Sequence, residues 1–148
     1  MAEIRASFTL NSDLESVNKA ESIANEYAGK LGFGEEDTMK ISMAVREAAV
    51  NAVLHGNAYD PAKHVQLSFD IDGARLMIKI TDQGKGLDPA NVPDPLAPEN
   101  LLKQSGRGIF LMKTFMDEVK YRDLGPGTEL TLIKHVPSGP ADGKEDTK

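Results

Sequence analysis

Two alternating runs joined by a turn signal constrain this chain more than any other feature. Val65, Leu67, Phe69 and Ile71 alternate with polar residues, Asp72-Gly73 interrupts them, and Leu76, Ile78 and Ile80 resume the alternation. A period of two puts each set on one face of a strand. Asp-Gly between two such runs is a hairpin signal. The chain therefore holds an antiparallel pair with one apolar face, and that face has to be covered.

Candidate covers lie upstream. Residues 3–10 alternate in the same way, with Ile4, Ala6, Phe8 and Leu10 on one side and Arg5, Ser7 and Thr9 on the other, which predicts a half-buried strand. Ser12 followed by Glu15 reads as a capping box. It opens a helix with the stripe Leu14, Val17, Ala20, Ala24, Tyr27 and Leu31, closed by Gly32 and Gly34. Glu35, Glu36 and Asp37 suit the positive end of a second helix. Its apolar face is Ile41, Val45, Ala48, Ala49 and Ala52, and His55-Gly56-Asn57 closes it.

Downstream, residues 87–105 contain Pro89, Pro93, Pro95 and Pro98, half of the chain's 8 prolines. Such a stretch predicts an irregular loop of the kind that serves as a functional lid. Gly106-Arg107-Gly108 then leads into a third helix with Ile109, Met112, Phe115 and Met116 facing inward. A last hairpin is expected over 118–122 and 128–134, with a turn at Leu124-Gly125-Pro126-Gly127. This order predicts an α+β fold: a two-layer α/β sandwich, with a mixed, mainly antiparallel sheet and helices on one face. A single domain over 1–136 and a flexible tail over 137–148 are expected. The Met1 start and that tail read as a self-standing protein, not a piece of a larger one.

Composition narrows the function. At 148 residues the chain can bury a core without staples. It has no cysteine, which excludes disulfides and thiolate metal sites. A net charge of −6 argues against a general nucleic-acid binder. No N-terminal segment has a signal-peptide core, and no run approaches the ~20 apolar residues of a membrane span. A cytoplasmic protein with no membrane or nucleic-acid partner is expected. The acidic charge does not exclude a nucleotide, because backbone N–H groups, helix N-termini and a magnesium ion offset phosphate charge locally.

Four segments could carry chemistry. Glu47 and Asn51, four apart, share a helix face turned from the stripe around Val45, and that face meets either solvent or a ligand. His55 continues the row, as a ligand contact or a structural helix-end residue. Asp82-Gln83-Gly84-Lys85-Gly86 ends a core strand. Its carboxylate can accept from an exocyclic amine such as adenine's, with glycines where a flat base approaches, or it is a plain turn. Gly106-Arg107-Gly108, with Lys103 nearby, opens a helix whose N–H groups suit phosphate, or it is a simple joint. Thr128 starts the last strand and can reach the base beside Asp82. No Walker loop and no G-x-G-x-x-G fingerprint occurs.

Taken in order, Glu47-x-x-x-Asn51-Ala-x-x-His55-Gly56, Asp82-x-Gly84-x-Gly86, Gly106-x-Gly108 and Gly127-Thr128 resemble the nucleotide-binding signature of the GHKL ATPase superfamily. The likeness spans about Ala44 to Lys134. Within that group the chain is similar to the stand-alone anti-sigma-factor serine-protein kinases of partner-switching systems. The run from Ser105 to Met112 and Met116-Asp117-Glu118-Val119 carry that likeness. The resemblance implies a Bergerat-type fold and a kinase using ATP and Mg²⁺. Asn51 would hold the metal, Glu47 would be the general base, and Asp82 would read adenine. Gly84 and Gly86 would pass base and ribose, Gly106 and Gly108 the phosphates, and Thr128 the adenine side; His55, Lys103 and Arg107 would line the nucleotide. Implied partners are a sigma factor, a STAS-domain anti-anti-sigma factor and a second copy, through strand 4–10. Where some members carry arginine before the glycines, this chain has Lys103-Gln104-Ser105. Lysine lacks the bidentate fork. A non-catalytic, ATP-regulated module that sequesters a partner is the other reading.

Overall fold

A computed structural model describes residues 3–84 and 104–137, with the backbone alone for residues 3 and 104–109. In chain order the elements are β1 (Glu3–Asn11), α1 (Leu14–Leu31), α2 (Glu35–Val50) continuing as a π-helical turn (Asn51–Gly56), β2 (His64–Asp72), β3 (Arg75–Thr81), α3 (Gln104–Phe115), β4 (Glu118–Asp123) and β5 (Thr128–His135). The five strands form one sheet in the order β1-β2-β3-β5-β4. Every pairing is antiparallel.

The register follows from the alternation. Phe8 faces Leu67, Leu67 faces Ile80, and Ile80 faces Leu130, so apolar side chains from four strands line up on one face. A slip of one residue would turn that set outward. The β2–β3 connection is one residue later than the sequence suggests. Asp72 pairs with Arg75, leaving Gly73-Ala74 as the loop. Only Gly73 takes a positive φ, 63°, the pattern of a II′ turn.

Helices α1, α2 and α3 cover the apolar face. Val17, Ala20, Ala24 and Ala28 of α1 are fully buried, as are Ile41, Ala44 and Val45 of α2. Small residues on both faces let α1 and α2 pack closely. Arg46 ties them at the rim, with Nη1 at 2.8 Å from Asn18 Oδ1 and 3.0 Å from Glu21 Oε1. Phe8, Tyr27 and Phe69 form an aromatic knot between the layers, Tyr27 stacking on Phe69 at 4.8 Å. Met112 of α3 is buried, and Met116 just beyond it nearly so.

Two expectations about α1 are corrected. Its N-cap is Asp13, whose Oδ1 accepts from the Ser16 N–H at 2.8 Å, and not Ser12. Hydrogen bonding to Ser16, through its side chain first and then its backbone N–H, holds the Asp13 carboxyl below its ordinary pKa. Ser12 is committed elsewhere: its hydroxyl donates to the Lys63 carbonyl at 2.7 Å. Leu14, the first residue of the helix, is 57% exposed and does not join the buried stripe. The opposite sheet face is largely polar. Arg5, Ser7, Ser68, Asp70, Met77 and Lys79 line a shallow groove there of about 290 Å³, on the side away from the helices.

Candidate nucleotide-binding site

The site is built where β3 and β5 end beside the close of α2. Asp82 follows β3, and its backbone N–H donates to the Thr128 carbonyl at 3.0 Å, extending the ladder by one rung. Its Oδ1 accepts from the Gly84 N–H at 3.0 Å and the Thr128 N–H at 3.2 Å. One carboxylate oxygen is thus fixed by two backbone donors. Among the described residues the other, Oδ2, forms no hydrogen bond.

Three glycines from three segments pack tightly around this corner, and one of them, Gly56, lies against the carboxylate. A Cβ at Gly56 would lie 2.4 Å from Asp82 Cγ and Oδ2, and one at Gly84 would lie 2.1 Å from the Gly56 carbonyl oxygen. Gly127 has φ +96°, and a Cβ there would sit 2.2 Å from the Asp82 carbonyl oxygen. A side chain at Gly84 or Gly127 would have to displace backbone, and one at Gly56 would have to displace the Asp82 carboxylate. Burial pushes the Asp82 pKa above the usual carboxylate value, against the lowering effect of its backbone donors and of Lys63. Tyr121 of β4, packed against the core, has its hydroxyl pKa pushed up to about 12, by burial first and then by the charge of Asp82.

Glu47 and Asn51 stand on the helix that Gly56 terminates, both half-buried. At about 1.5 Å per residue, Asn51 lies roughly 7 Å and Glu47 roughly 13 Å back along the axis from Gly56. Neither makes a side-chain hydrogen bond or ion pair among the described residues. The helix widens at Asn51: the Asn57 N–H donates to the Ala52 carbonyl at 2.8 Å, five residues back. Such π turns occur often at functional sites. The widening breaks the i, i+4 row, so His55 does not continue the line of Glu47 and Asn51 and stands exposed. The chain then leaves through two left-handed residues, Ala58 (φ 52°) and Tyr59 (φ 59°). Each costs about 1–3 kcal/mol that surrounding contacts must offset.

The expected phosphate segment lies in α3, which packs on α2. The helix begins at Gln104, so Gly106, Arg107 and Gly108 fall in its first turns and do not precede it. Gly86 and Lys103 lie outside the described residues, as do the side chain of Arg107 and the tail beyond Pro137. Asp82, Gly84 and Thr128 are brought together, with the helix of Glu47 and Asn51 against them. Among the described residues no group of three or more His, Asp or Glu could hold a metal unaided. Asn51 offers one hard oxygen that forms no hydrogen bond among the described residues, which suits a magnesium ion that takes most of its ligands from phosphate and water.

Sequence reasoning missed Asn57 and Gln83, which brace this corner. Asn57 is 1% exposed. Its polarity at the end of an apolar helix was the available signal.

The model of the histidine kinase-like ATPase domain matches residues 10–134. The chain belongs to this family. Relatives of this ATPase domain include an anti-sigma F factor of Anoxybacillus flavithermus, 37% identical over 106 residues, covering 68% of this chain and 71% of that protein. Another is the serine-protein kinase RsbW of Halalkalibacterium halodurans, 34% identical over 125 residues, 80% of this chain and 75% of that protein. Among solved structures, the RsbU and RsbW domains of a Mycobacterium tuberculosis protein superpose with a TM-score of 0.67 at 18% identity, over 90% of this chain and 32% of that one. A blue-light-activated histidine kinase of Erythrobacter litoralis gives 0.57 at 18% identity, over 82% and 41%. At that identity these structures speak for the histidine kinase-like ATPase fold alone. No described helix is long and apolar enough to cross a membrane.

Proposed function

We propose that this chain is an anti-sigma factor and ATP-dependent serine/threonine-protein kinase of the cytoplasm, which phosphorylates a STAS-domain anti-anti-sigma partner and so controls release of a sigma factor, holding it while ATP-bound and giving it up when the unphosphorylated partner competes. The observation that carries the nucleotide part is the Asp82 carboxylate. One oxygen is pinned by the Gly84 and Thr128 N–H groups, the other forms no hydrogen bond among the described residues, and Gly56, Gly84 and Gly127 let the backbone close tightly around this corner. Such a carboxylate can accept a hydrogen bond from an exocyclic amine. The names of the relatives, anti-sigma F factor and serine-protein kinase, support the rest.

In this reading Asn51 gives its amide oxygen to Mg²⁺ and Glu47 takes the proton of the attacking hydroxyl, while the first turn of α3 faces the phosphates. Phosphoryl transfer is mainly positioning and charge stabilisation, so few groups suffice. Lys103 and Arg107 supply positive charge beside the glycines. β1 is an edge strand whose outer backbone edge is unpaired among the described residues, which supports association with a second copy.

Incubating the protein with Mg·ATP and its cognate STAS partner tests this. Phosphoserine or phosphothreonine on the partner is the expected result. ATP binding without transfer to any such partner would leave a binding module and remove the kinase.

A further inference from the structure

Gly56 and Asn57 are consecutive, and they grip consecutive residues of the opposite segment. Gly56 lies against the Asp82 carboxylate, and Asn57 Oδ1 accepts the Gln83 N–H at 2.8 Å. The Asn57 amide nitrogen donates to Ser12 Oγ at 2.9 Å and to the His64 carbonyl at 3.0 Å. Gln83 Oε1 in turn accepts the His64 N–H at 2.6 Å. One fully buried amide therefore joins the end of the π turn, the exit of β1, the entry of β2 and the exit of β3.

We propose that Asn57 is the positioning residue of the base-reading turn, setting how Asp82 is presented to a purine amine; this rests on the nucleotide reading above. The physical reason is directional. Asp82 is fixed to β5 through Thr128, but the residues after it have left the ladder. Gln83 is exposed, and its N–H has the Asn57 oxygen as its acceptor. Without that bond the 82–84 turn can rotate about the Thr128 anchor, carrying Oδ2 off the line of an incoming amine. The same amide fixes the end of the helix that bears Asn51, so it also sets the spacing between Asn51 and Asp82.

The test compares Mg·ATP and Mg·GTP affinity by calorimetric titration for wild type, Asn57→Ala, Asn57→Asp and Ser12→Ala, each shown to be folded by circular dichroism. Asn57→Ala should weaken Mg·ATP about tenfold, in line with the loss of a buried hydrogen bond, with the loss falling on ATP and not on GTP. The ATP-over-GTP preference therefore shrinks. Asn57→Asp keeps an acceptor for Gln83 and gives up the donors, so it loses thermal stability yet retains most of the preference. Ser12→Ala lowers the melting temperature and leaves the preference unchanged. An unaltered ATP:GTP ratio in folded Asn57→Ala overturns the proposal, as does an equal loss of preference in Ser12→Ala. If Asn57→Ala does not fold, the Asp variant and hydrogen exchange of wild type decide: the Gln83 amide should exchange at least a hundredfold slower than an unstructured one before nucleotide is added, and free exchange overturns the proposal. Wild type that binds no Mg·ATP removes the nucleotide reading itself, a different failure from an unchanged ratio.

Discussion

Gly56 lies flat against the carboxylate of Asp82, so close that a single added carbon would stand 2.4 Å from its Cγ. The two residues belong to different layers, one closing a helix and the other ending a central strand. Gly56→Ala should therefore act on the pocket before it acts on the core. We expect at least a tenfold loss of Mg·ATP affinity by titration, with a stability loss of about 1–3 kcal/mol in chemical denaturation from overpacking.

As the proposed base reader, Asp82 should link nucleotide binding to pH. Its folded pKa is raised by burial, so the neutral form is the one the fold favours. The contribution of the ionisable group to stability is fully present below the unfolded carboxylate pKa and is lost as pH rises through the raised folded value. Wild type should gain stability relative to Asp82→Asn as pH falls through that window. Binding runs the other way, because an amine reader must be ionised to be a strong acceptor. The affinity advantage of wild type over Asp82→Asn for Mg·ATP should shrink on acidification through the same window. Denaturation and titration series on the two proteins check both slopes.

Glu47 and Asn51 separate chemistry from binding. Glu47→Gln should lower phosphoryl transfer by roughly 10²–10⁴-fold, the usual contribution of a general base, with ATP affinity nearly unchanged. Asn51→Ala should instead make ATP affinity insensitive to magnesium. Radiolabel transfer to the STAS partner and titrations with and without EDTA measure the two effects. Wild-type transfer rates in Glu47→Gln would remove the base assignment.

Phe69 tests the layer contact. It is 1% exposed and touches both Phe8 and Tyr27. Phe69→Ala should cost about 3–5 kcal/mol in urea unfolding, the range for a buried aromatic deletion.

The sheet and the helices were legible because each buried face repeats its own period. Residues 4, 6, 8 and 10 of β1 face inward, as their alternation predicts. Ile41, Val45, Ala48, Ala49 and Ala52 are all buried. What local pattern could not resolve is competition for a side chain between near and distant partners. Ser12 fits a capping box, yet its hydroxyl is taken by Lys63 and Asn57, partners some fifty residues away in the chain, so Asp13 caps the helix instead. The π widening at Asn51 is likewise a tertiary outcome. An Asn-Ala-Val-Leu-His-Gly run continues an α-helix by its own preferences, and only Gly56 seated on Asp82 with Asn57 bonded to Gln83 explains the extra residue in the turn. For the site, the spacing of Glu47 and Asn51 was readable as a shared face. The disposition of His55 was not, because it depends on that widened turn.

Ala58 and Tyr59 hold left-handed backbone that neither residue prefers, and the amide beside them finds its partners on β2 and just past β3. Nothing local drives this corner into shape. It can set only after those two strands have zipped together. If this corner reads a purine as proposed, it should form late in folding and open first on partial unfolding, which would tie the protein's competence for nucleotide to the completeness of its sheet.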